Sequence, residues 1–143
     1  ITEQLDCDWT YRDLTTNFDV PDHELILRAF TRFTYDFHEK GVLFLDHSPG
    51  NTLIKKVGNN YNFFLVDLNR MKFKNLTFEE RIKNFRKLTI HSSMIKIMSD
   101  ELSKITHHRS EAIYNLMWNA TENFQKSYHR RRILKKKLKF WKN

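Results

Sequence analysis

Apolar and polar positions change rhythm several times along the 143-residue chain, and each change predicts an element. Ile1 to Leu5 reads as the end of a strand, and Asp8 to Thr16 as a short helix or turn. From Pro21-Asp22 onwards, Leu25, Ile26, Ala29, Phe30, Phe33 and Phe37 recur at three- and four-residue steps. That spacing puts them on one face of a helix, which Gly41 should stop. Val42 to Leu45 is a short continuous apolar run, a buried-strand candidate. Pro49-Gly50 signals a turn. Thr52 to Lys55 and Tyr61 to Val66 flank Gly58-Asn59-Asn60, a predicted hairpin, since Gly and Asn tolerate positive φ. Thr77-Phe78-Glu79-Glu80 has the form of a capping box, in which Thr77 and Glu80 satisfy each other's free amides, and predicts a helix to about Leu88. Two further helices are expected, from His91 to about Ile105 and from Ser110 onwards. In the second, Ile113, Leu116, Met117, Ala120, Phe124 and Tyr128 share a face, and the helix can continue to the end of the chain. The expected fold class is mainly α with a small β-hairpin.

Composition sharpens this picture. A chain this long fits one domain, and 40% hydrophobic residues with 14% aromatics are enough to fill a core. Only 3 Gly and 2 Pro argue against an all-β fold built on many tight turns. The single cysteine, Cys7, allows neither an intrachain disulfide nor a zinc cluster. No apolar run approaches the roughly 20 residues of a membrane span. The opening Ile1 to Asp6 is too polar for a secretory signal, and the absence of an initiating Met suggests a fragment. The net charge of +8 is uneven: 9 of the 25 Lys and Arg fall between Lys126 and Asn143, which holds no acid. The 16 that remain face 17 Asp and Glu, so the basic C-terminal segment carries the whole excess.

The candidate chemistry lies between Phe44 and Asn69. Asp46 is followed five residues later by Asn51, and Asp67 ends the apolar run Phe63-Phe64-Leu65-Val66. An Asp, an Asn at that spacing and a second Asp behind a short apolar run make up the polar triad of kinase-type phosphoryl transfer. In that chemistry one carboxylate orients the acceptor hydroxyl, while the amide oxygen and the second carboxylate hold magnesium on nucleotide phosphates. The predicted hairpin brings Asp67 back beside Asn51 across 16 residues of sequence. Asp and Asn also favour turns for their own backbone hydrogen bonds, which is the plainer reading of the same residues.

Three stretches resemble the lipopolysaccharide kinase family, whose members phosphorylate Kdo or heptose in the lipopolysaccharide inner core. They are Phe37 to Val42, Asp46-His47-Ser48-Pro49-Gly50-Asn51-Thr52-Leu53-Ile54, and Leu65 to Arg70 with Glu80 to Leu88. The resemblance spans roughly residues 1–88. It implies the C-terminal lobe of the protein-kinase-like fold with the small lobe absent. Residues 1–125 would be the lobe, with a hinge at about 1–5, a catalytic loop at 44–51 and a metal-binding segment at 63–70. By position, Asp46 would be the catalytic base and Asn51 and Asp67 the magnesium ligands. Glu3 and Leu5 would grip the adenine of ATP through their backbone. The glycine-rich loop and the lysine that contact the phosphates would belong to the small lobe, so half a nucleotide site is expected. Phe44-Leu45 replaces the usual His-Arg, Ser48 the usual Lys and Asn69 the usual Gly. These departures favour a non-protein acceptor and leave a pseudokinase open.

Around the triad, His47 is either a contact for the sugar or a structural hydrogen bond. Arg70 either attracts an anionic substrate or is an ion-paired loop charge. The basic amphipathic tail, residues 126–143, sets Arg130, Arg131, Arg132, Lys135, Lys136 and Lys137 among apolar side chains. On a helix Leu134, Leu138 and Trp141 share a face. Such a segment fits an anionic membrane surface, apolar side inward, and with it an anionic glycolipid substrate at the inner face of the inner membrane. Nucleic acid rewards the same charges and is the weaker expectation; a plain solubilising helix end is the third. A non-catalytic kinase-like module held at the membrane is the functional alternative.

Overall fold

The computed structural model describes residues 7–67 and 70–141. The expected hinge with Glu3 and Leu5, and the pair Leu68-Asn69, lie outside the described residues.

The chain is mainly helical with small antiparallel β-structure, as the periodicity implies. A short strand β1 (Trp9–Thr10) leads into α1 (Tyr11–Thr16). Then come the long helix α2 (His23–Glu39), strand β2 (Val42–Phe44), and a 3-10 turn at Pro49–Asn51. Strands β3 (Thr52–Val57) and β4 (Asn60–Leu65) form the hairpin, and β5 (Met71–Phe73) follows. Helices α3 (Phe78–Lys83), α4 (Ser92–Thr106) and α5 (Ser110–Trp141) complete the fold. One sheet has the order β1-β3-β4 and the other pairs β2 with β5, all antiparallel.

α2 lies at the centre, packed on α4, β2 and β4. Its buried stripe is Ile26, Leu27, Phe30, Thr31, Thr34 and His38, rotated from the expected one. Leu25, expected inside, is 57% exposed. Three polar residues go inside because each finds a hydrogen-bond partner. Thr31 donates to the Leu27 carbonyl (2.7 Å), Thr34 bonds His47 (3.1 Å), and His38 bonds Asn84 (2.9 Å). Against this stripe pack Tyr11, Leu14, Ile54, Phe85, Leu88, Met94, Ile95 and Met98, all 0–1% exposed. Burying aromatic and aliphatic side chains of this size contributes about 1.5–3 kcal/mol each and holds the helices to the hairpin. An ion cluster ties α2 to α4 at the rim: Arg28 bonds Asp100 (2.7 Å) and Glu101 (3.0 Å), and Arg32 bonds Glu101 (2.6 Å).

Two glycines are required by geometry. Gly41 ends α2 at φ 77°, and a Cβ there would come within 3.0 Å of the Lys74 carbonyl oxygen. Gly58 opens a two-residue hairpin loop at φ 62°, and Asn59 keeps a negative φ, the pattern of a type II′ turn. The hairpin is longer than expected, with β3 reaching Val57 and Asn60 already in β4. α3 is shorter. After Lys83 the chain winds on to Leu88 with tighter bonds, Phe85 N to Ile82 O, Arg86 N to Lys83 O and Leu88 N to Phe85 O.

Candidate functional site

Two strand ladders converge on the loop from Asp46 to Asn51. In the β3–β4 hairpin Thr52 faces Leu65, and Val66 N donates to Asn51 O at 3.0 Å, adding one more rung. Asp67 is the next residue, so it emerges at the loop's downstream end. In the second ladder Phe44 of β2 faces Met71 of β5, and Leu45 N donates to Arg70 O at 2.9 Å. Arg70 therefore emerges at the loop's upstream end. The two ladders thus set Asp67 at one end of the loop and Arg70 at the other.

Asn51 locks the loop from within. Its Nδ2 donates to the Asp46 backbone carbonyl at 2.9 Å. A carbonyl can only accept, so the amide nitrogen faces it and Oδ1 is left without a partner among the described residues. Asp67 has φ 59°, in the left-handed region that Asp tolerates better than most residues. Its side chain is exposed and pairs with none of the described residues. Two hard oxygen donors thus stand unspent at the same end of the hairpin. They suit magnesium, which is held by one or two carboxylates together with substrate phosphates rather than by an all-protein cage.

Asp46 is partly open, its side chain 26% exposed, and its Oδ1 accepts from Arg70 Nη1 at 3.2 Å. Arg70 is thus an ion-paired residue on the candidate base, one of its two expected states. His47, beside Asp46 in sequence, points the other way and is 1% exposed. Its ring stacks on Phe30 at 5.2 Å and lies edge-on to Phe37 at 5.4 Å, while Nε2 meets the Thr34 hydroxyl. A ring enclosed in this way cannot touch a substrate, so the expected sugar contact is corrected to a structural role. Its Nδ1 is buried without a partner among the described residues. A bare lone pair is the cheaper group to strand, so the ring is neutral with its proton on Nε2, donated to Thr34. Burial pushes its pKa down to about 3.

Sequence reasoning missed the support beneath the loop. Asn84 Nδ2 donates to the Phe44 carbonyl (2.9 Å) and its Oδ1 accepts from His38 Nε2 (2.9 Å). One amide thereby clamps α2 to the strand that enters the loop, and fixes the tautomer of His38. Burial pushes the His38 pKa down to about 4. On the other side Arg12 lies within 3.0 Å of where a Gly50 Cβ would stand, so α1 braces the loop's turn. No motif in the sequence marks Asn84 or Arg12 for this role, since each is one polar residue beside an apolar one, Phe85 and Tyr11.

The tail residues are placed as expected in one respect. α5 runs without interruption to Trp141, and every residue from Lys126 to Trp141 is exposed. Arg130, Arg131, Arg132, Lys135, Lys136, Lys137 and Trp141 are therefore all at the surface. Leu134, Leu138 and Trp141 are 60%, 55% and 83% exposed and packed on nothing described. No helix among the described residues is long and apolar enough to cross a membrane. No protein-family model matches the chain, and no curated protein matches its sequence.

Proposed function

We propose that this chain is the large-lobe portion of an ATP- and magnesium-dependent kinase that phosphorylates a sugar hydroxyl of the lipopolysaccharide inner core, of Kdo or heptose kinase type. It would work peripherally at the inner face of the inner membrane. The observation that carries this reading is the convergence of two ladders on the ends of the Asp46–Asn51 loop, which brings Asp67 out next to the rung at Asn51, whose side-chain oxygen has no partner among the described residues.

In this reading Asp46 accepts the hydrogen bond of the acceptor hydroxyl and aims its oxygen at the phosphorus. The Asn51 bond to the Asp46 carbonyl keeps the loop from rotating as that happens. Asn51 Oδ1 and the Asp67 carboxylate would hold magnesium, which when bound neutralises charge on the transferring phosphoryl group. Phosphate transfer from ATP to inner-core glycolipid is the test, on the chain joined to the small lobe that the resemblance implies. Asp46→Ala should lower kcat by about 10²–10⁴-fold, and Asp67→Ala should abolish the response to magnesium, with both variants still folded. Unchanged transfer in either variant would sink the proposal.

One observation favours a second reading, a kinase-like binding module without catalysis: Arg70 already occupies the Asp46 carboxylate. Magnesium-nucleotide binding with no transfer to any acceptor would favour it.

A further inference from the structure

A groove of about 470 Å³ opens beside the candidate site, between the turns after α3 and the face of α5. Arg70, Lys83, Arg86, Lys87 and Arg131 line it, and no Asp or Glu does. None of Lys83, Arg86, Lys87 and Arg131 forms an ion pair with a described residue; Lys87 sits 5.9 Å over the Phe124 ring, on the α5 wall. The chain elsewhere pairs its cations readily, as at Arg28, Lys74 and Arg81. Four cations gathered without a counter-charge among the described residues repel one another, and a bound polyanion relieves that repulsion. The fifth, Arg70, joins the groove to the site, because its other neighbour is the Asp46 carboxylate.

We propose that this groove binds a phosphate group carried by the acceptor, with the sugar ring bearing it laid against Phe124 and Tyr128. The proposal rests on the phosphotransfer reading and extends it to the acceptor. Lys83, Arg86 and Lys87 are spaced three and four apart, which sets them on one face, with Arg131 opposite on α5. A phosphate monoester offers its several oxygens to such a ring of donors. It also competes with Asp46 for Arg70. An acceptor seated in the groove thus draws Arg70 away and frees Asp46 for its hydroxyl, so the site is opened by its own substrate.

The experiment is a calorimetric titration of the full chain with inorganic pyrophosphate, repeated with Lys83→Gln/Arg86→Gln and with Lys136→Gln/Lys137→Gln as a tail control. The expected result is binding that weakens about tenfold or more in the groove variant and stays within about twofold in the control. Vesicles of anionic and of zwitterionic phospholipid, and a short single-stranded oligonucleotide, are titrated alongside. Equal pyrophosphate affinity in all three proteins, or none in the wild type, overturns the proposal. So does a groove variant that loses anionic vesicles or the oligonucleotide while pyrophosphate is unaffected, since the groove then docks a membrane or nucleic acid. Binding is read without ATP or turnover, so failure here leaves the kinase reading standing, and failure of phosphate transfer leaves this result standing.

Discussion

His38 and His47 hold the underside of the Asp46–Asn51 loop in place as neutral rings, and that makes them a pH liability. Their pKa values are pushed down by burial to about 4 and about 3, against about 6.5 in the unfolded chain. Between those limits the unfolded state binds more protons than the folded one, so stability is full above pH 6.5 and is lost as the pH falls. The slope is at most about 1.4 kcal/mol per pH unit for each histidine. Urea unfolding at pH 7, 6 and 5 should show this decline, in a window above the range where the ion-paired carboxylates titrate. A flat stability across it would mean that one or both rings are solvated. The sequence marks Asp46, Asn51 and Asp67 by type and spacing, and the hairpin register brings Asp67 out next to the end of the loop that carries the other two. It cannot tell which way His47 faces, because neighbours in a loop have no fixed periodicity, and only the aromatic wall of Phe30, Phe37 and Phe44 decides it.

Helices were the most legible elements, because apolar residues at three- and four-residue steps have few other uses. The capping box before α3 is present in both halves: Glu80 N donates to Thr77 Oγ1 and Thr77 N to Glu80 Oε1, each at 3.2 Å. Glu80 also holds Lys74 at 2.6 Å, so the cap anchors the chain leaving β5. Thr77→Ala should cost about 1 kcal/mol in urea unfolding, and Thr77→Ser nearly nothing; equal losses would point to the methyl rather than the hydroxyl. The β2–β5 ladder was not legible. Each strand has three residues, too few for alternation to show, and the partners lie far apart in sequence, Val42 facing Phe73 and Phe44 facing Met71. The rotation of the α2 stripe escaped for a different reason. Thr31, Thr34 and His38 are polar and carry no apolar signal, and go inside because each finds a partner there, Thr31 on its own helix and Thr34 and His38 on other elements.

Across the whole molecule, charge and packing divide at Gln125. Among the described residues, α5 meets the core through buried Ile113, Met117 and Thr121 and half-buried Tyr114, all before Gln125. Deleting residues 126–143 should therefore leave stability within about 0.5 kcal/mol, while association with anionic vesicles falls about 100-fold or more. Vesicle association that survives the deletion would place the membrane contact on the body instead. The charge asymmetry was plain in the sequence, but the continuity of the helix across it was only one of the possibilities. That continuity has a mechanical side. Sixteen residues of unbroken helix from Lys126 to Trp141 make an arm about 24 Å long with no joint where it leaves the body. A leash would let the body wander over a hemisphere; a stiff arm lying on a surface dictates the body's altitude and heading. Any acceptor would then be met at one fixed height above that surface, whatever its sugar chemistry, and groups nearer or farther along the same glycan would pass out of reach.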